Sequence, residues 1–147
     1  MRDKFDFRLQ KVLQYREKKE KAAQSKLADA QSSLQNSLTQ LSDLKNELLE
    51  VYSQQKKETV REFNVEDYLL CSRYADYLTG CITNTQQEVQ QKEEEVHEER
   101  RQLEAKMLER KILSNLKDKQ YLAFQKAGNL EEQKINDEII ITSHSRK

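Results

Sequence analysis

Leucine recurs at seven-residue intervals through the first third of the chain. Leu13, Leu27, Leu34, Leu41 and Leu48 share one phase, interrupted only by Glu20. Ala23, Ala30, Leu44 and Val51 form a second set offset by three, and Leu9 falls in the same set. A 3–4 alternation held over this many heptads marks a coiled-coil seam, because it keeps one narrow stripe of an α-helix turned towards a partner helix. Arg16 and Ser37 also occupy seam positions, where polar residues lower stability but fix register. Phe5 and Val12 extend the apolar face towards the N-terminus.

Few turns are available to such a chain. It has no proline and only two glycines in 147 residues, and turns are built mainly from Gly, Pro, Asn and Asp. The mean hydropathy of −1.02 would suit a disordered chain, but the periodic apolar residues decide for helix. A break is predicted over 59–64. Asn64 is a good N-cap, and Asp67 can meet the free amides of the next first turn. A second helix therefore opens at Val65 or Glu66. In it, Ile82, Val89, Val96 and Leu103 repeat every seven residues, with Cys71 and Leu78 on the neighbouring seam position and Thr85, Lys92 and Glu99 polar there. The pattern weakens over 93–101 and is expected to shift phase at Met107, continuing through Leu113, Leu116, Phe124, Ala127, Leu130, Ile135 and Ile139.

The expected fold is all-α: one long antiparallel two-helix coiled-coil hairpin over 1–142, with helices at about 4–58 and 65–141 and a frayed tail at 143–147. The second helix outruns the first. Either it overhangs the N-terminus, or Gly80 ends a separate short helix or kinks the long one.

Charge and chemistry exclude several functions. Twenty-six basic and 26 acidic side chains give a formal charge of zero, unlike a nucleic-acid binder, which needs a net basic face. No apolar run reaches the length of a membrane span, and no secretory signal is expected. Cys71 and Cys81 fit neither a close metal pair nor a disulfide framework, so reduced thiols in a cytoplasmic protein are the simplest reading. His97 among glutamates and the run Glu93, Glu94, Glu95 read as solvated helix surface, since a straight helix cannot converge oxygens on a cation. There is no glycine-rich phosphate loop. No catalytic residue, metal or cofactor is expected. The charge is nevertheless blocked. The stretches 2–26 and 100–126 are basic and would lie side by side at the open end of a hairpin, while 88–99 is acidic. A basic end of this kind could be steered into an acidic cavity.

The opening Phe5-Asp6-Phe7-Arg8-Leu9-Gln10-Lys11-Val12-Leu13, with Tyr15, Arg16, Glu17 and Glu20, resembles the start of the flagellar FliJ proteins. Two later segments agree, Glu109-Arg110-Lys111-Ile112-Leu113 with Leu116-Lys117, and Glu132-Gln133-Lys134-Ile135-Asn136-Asp137-Glu138-Ile139. The resemblance implies an antiparallel coiled-coil stalk of the type III flagellar export apparatus, cytoplasmic and peripheral at the inner face of the cell membrane. It implies three partners: the hexameric export ATPase, whose centre the stalk would occupy and whose assembly it would promote; the export gate protein in the membrane; and export chaperones. Nucleic-acid binding and direct membrane insertion are not expected. The open-end residues Arg8, Lys11, Arg16, Arg110, Lys111 and Lys117 would then face the ATPase. Leu41, Leu44 and Leu48, with Tyr74, Leu78, Cys81 and Thr85, match the family's gate-contacting tip, although leucine stands at positions 44 and 48 where aromatic residues are common. The same leucines are seam residues. The alternatives are the stalk of a virulence-type secretion system and a generic coiled-coil tether.

Overall fold

The computed structural model describes residues 4–61 and 64–145. Two helices account for nearly all of them, α1 (Gln10–Arg61) and α2 (Val65–Ser145), and no strand occurs among the described residues. They pack against each other as an all-α hairpin. The chain divides into two compact units, Met1–Ala22 with Glu104–Lys147, and Ala23–Leu103.

Asn64 caps α2. Its side-chain oxygen accepts a hydrogen bond from the Glu66 amide at 3.1 Å, and its carbonyl accepts from the Tyr68 amide at 3.0 Å. Glu66 and Asp67 supply negative charge to the first turn. The expected link at 59–64 is shorter in the structure, since α1 continues to Arg61; Glu62 and Phe63 lie outside the described residues. At its other end α1 starts at Gln10 rather than near Lys4. Residues 4–7 are non-helical and bury Phe7 to 4% exposure, while Leu9 and Val12 stay exposed, away from the seam position and apolar extension expected of them. Gly80 does not end a helix. α2 is unbroken from Val65 through Gly80 and Gly128 to Ser145, so no separate short helix precedes Gly80.

The unit Ala23–Leu103 holds the apolar part of the seam. Ala75, Leu78, Ile82, Val89 and Val96 are buried on α2, and the α1 leucines Leu27, Leu34, Leu41, Leu44 and Leu48 are half-buried. Polar seam residues find partners here: Lys92 Nζ donates to Ser37 Oγ at 2.6 Å and to the Ser33 carbonyl at 3.5 Å. Antiparallel pairing shows in the sequence separations of the cross-helix bonds, 55 for Lys92–Ser37 and 27 for Tyr74–Glu47.

In the other unit the seam is charged. Arg16 pairs with Glu109 at 2.7 Å, and Arg110 donates to Glu20, which is only 8% exposed. The interruption in the leucine series is thus one half of an ion pair. Phe5 packs edge-on against Tyr121 with ring centroids 5.3 Å apart, and against Phe124 at 5.6 Å.

The expected phase shift at Met107 is absent. Burial on α2 keeps strict 3–4 spacing through Val96, Glu99, Leu103, Lys106, Arg110, Leu113 and Lys117. Long basic side chains can line a seam because their stems are apolar and only their heads need a charge or water. Apolarity alone therefore misplaces the stripe. Leu108, Ile112, Leu130, Ile135 and Ile139 are exposed.

Candidate partner-binding surfaces

Seven residues were expected to form a gate-contacting tip, and the structure sorts them by depth. Leu78 (2% exposed) and Thr85 are buried in the seam, and Leu41, Leu44 and Leu48 are half-buried there. Tyr74 is exposed and Cys81 half-buried. The tyrosine hydroxyl donates a hydrogen bond to Glu47 of α1, and its ring stacks on Tyr77 with centroids 6.2 Å apart. That bond to Glu47, then partial desolvation and the carboxylate charge, raises the Tyr74 pKa above its usual value. Tyr77 is raised as well, first by its interaction with the neighbouring Cys81 thiol. Sequence reasoning missed Tyr77 and Leu70, both strongly exposed. The signal available was their spacing from Tyr74 and Cys81.

The basic set divides in the same way. Arg16 and Arg110 are engaged in the ion pairs described above, and Lys117 is half-buried in the seam. Arg8, Lys11 and Lys111 are exposed. Arg110, expected to face the ATPase, is half-buried and paired with the buried Glu20. Near Lys111, Leu108, Ile112 and Leu116 follow at i, i+4 and i+8 on the exposed side of α2. Lys19 lies over the ring of Tyr15 at 5.3 Å, a cation–π contact that covers part of the outer face of α1.

Beyond the Phe5 contacts, α2 runs on with every residue over 129–145 exposed. Ile139, Ile140 and Ile141 are consecutive there, so their side chains point in directions about 100° apart. An apolar surface that turns around a helix in this way is suited to being enclosed, since one flat neighbour covers only one side.

His97 is exposed, and no group of three or more His, Cys, Asp or Glu among the described residues could hold a metal ion. Among the same residues no helix is long and apolar enough to cross a membrane.

A family model described as Flagellar FliJ protein matches residues 5–147. No curated protein and no solved structure matches.

Proposed function

Since the chain belongs to the flagellar FliJ family, and is by that membership a component of the flagellar export apparatus, we propose that it is the non-enzymatic stalk joining the export ATPase to the membrane export gate. The family is structural and non-catalytic. In this reading the unit that carries the termini enters the centre of the ATPase ring and promotes its assembly. The unit that carries the link meets the gate and the export chaperones. The protein works in the cytoplasm, peripheral to the inner face of the membrane.

One observation carries the proposal: the two units expose different chemistry. The terminal unit offers Leu108, Ile112 and Leu116 beside the base Lys111, with Arg8 and Lys11 on the preceding segment and α1, and the exposed Ile139, Ile140 and Ile141 near the end of α2. The link unit offers tyrosines beside a carboxylate. A hairpin with two unlike surfaces can hold two partners at once, which a tether with a uniform surface cannot do selectively.

Charge reversal tests it. Arg8→Glu, Lys11→Glu and Lys111→Glu together should weaken capture of the export ATPase about tenfold and flatten its salt dependence, because exposed charges act mainly by steering. Gate binding should be unchanged. Arg16 and Arg110 are left out because their loss would also break the hairpin's own ion pairs. Undiminished ATPase capture by the triple variant would refute this docking surface.

A further inference from the structure

Leu70, Tyr74, Tyr77 and Cys81 stand one residue before each of the seam positions Cys71, Ala75, Leu78 and Ile82. They repeat the 4–3–4 spacing of the seam and so form a second stripe along α2, turned about 100° from the first. α1 leaves this stripe open: Leu70 and Tyr77 are 67% and 65% exposed. It is nevertheless continuous at its centre, where Tyr74 stacks on Tyr77 with centroids 6.2 Å apart.

Two further features border it. Gly80, at i+3 from Tyr77, costs the helix about 1 kcal/mol relative to alanine. Nothing within the hairpin requires it, since its φ is not positive and a Cβ there would meet no atom within 4 Å. A glycine with open space in mid-helix suits the close approach of something from outside. Along the α1 side, Glu47 is flanked by Asp43 and Glu50 at i−4 and i+3, all exposed, which makes a rail of carboxylates. Arg73, at i−4 from Tyr77, is the exposed base on the outer flank.

We propose that this face receives an amphipathic helix of another protein, packed as a third helix over Gly80, with its apolar residues on the Leu70–Cys81 stripe and lysines or arginines along its edge towards α1. Helical spacing of the stripe calls for a helical occupant. The carboxylate rail calls for a basic edge, and it opposes a second copy of this chain, which would set rail against rail. The proposal rests on the reading that the link unit meets the export gate.

The test uses the full-length chain and two designed helical peptides about three heptads long. Both carry the same leucine stripe, one edged with lysine and the other with glutamate, and binding is read by fluorescence anisotropy. The lysine-edged peptide should bind the wild type, and about tenfold less tightly to Gly80→Leu and to Tyr77→Ala. Leucine is a better helix former than glycine, and circular dichroism will confirm that the Gly80→Leu hairpin is folded. The glutamate-edged peptide should bind only when Asp43, Glu47 and Glu50 are all changed to lysine. Equal binding to Gly80→Leu, no preference between the peptides, or no binding of either would overturn the proposal. The cytoplasmic part of the gate protein, used as a third probe, separates the two readings. Capture by the wild type and loss with Gly80→Leu supports both. Equal capture by both chains overturns the helix site and leaves the gate reading standing. No capture by the wild type overturns the gate reading, and the peptides then decide the helix site alone.

Discussion

Glu20 puts a carboxylate into the buried seam of the hairpin. A carboxylate at an a/d position is costly to bury, and Arg110 offsets that cost only while both members are present. Arg110→Ala should therefore lower stability by about 1–3 kcal/mol, the range for a buried polar group left without its partner. Glu20→Leu with Arg110→Leu should recover most of the loss. Urea unfolding of the single and double variants measures the coupling, and additive effects would show that the pair is not a unit. The tyrosine beside Glu47 gives a second prediction. A tyrosine with a raised folded-state pKa keeps its proton after the unfolded chain, with the ordinary tyrosine value of 10.0, has lost it. Its contribution is fully present below pH 10 and disappears as pH rises through the raised value. Ultraviolet titration should find a late-ionising tyrosine that Glu47→Ala returns towards pH 10; an unchanged profile would deny the bond a role. Seam residues such as Leu78 were readable from spacing alone. The ion pairs were not, because a heptad says which residues face inward and not which charge lies opposite which. For that reason Arg110 looked like a surface base in the sequence, and Arg16 was a seam residue whose partner the spacing did not show.

At the scale of elements, the two helices and the Asn64 cap were legible because helix propensity, apolar period and capping all agree there. Three features were not. Phe5 and Phe7 belong to a non-helical lead-in in which Phe5 packs against Tyr121 and Phe124 of α2, and local pattern cannot report such long-range contacts. The phase shift expected at Met107 came from counting apolar residues where lysine and arginine line the seam. The overhang of α2 was one of two readings, and only the continuity of the helix at Gly80 decides for it. That glycine also gives the simplest check on the element. Gly80→Ala should raise thermal stability by about 0.5–1 kcal/mol, since alanine favours helix and its methyl group meets empty space. Destabilisation would mean that the helix needs glycine for its own backbone, and the argument for an outside occupant would lose its footing.

For the whole molecule, the hairpin matters because it presents unlike surfaces on its two units from one chain. Heptads explain the hairpin but do not distinguish a stalk from any other two-helix coiled coil; the family match over 5–147 places the chain in the flagellar export apparatus, and the stalk proposal builds on that. Within the candidate surfaces, burial separates residues that hold the hairpin together from those that stay exposed. Leu78 and Thr85 fall in the first group, and Tyr74, Arg8 and Lys111 in the second. The role proposed here requires the second group to act on a ring that has a turnover of its own. The most direct measurement adds the purified full-length chain to its cognate export ATPase over a range of stoichiometries and follows both ring assembly and ATP turnover. The account predicts no turnover by the chain alone, and increases in ring assembly and in turnover together when it is added; a chain that changes neither at any stoichiometry would contradict it.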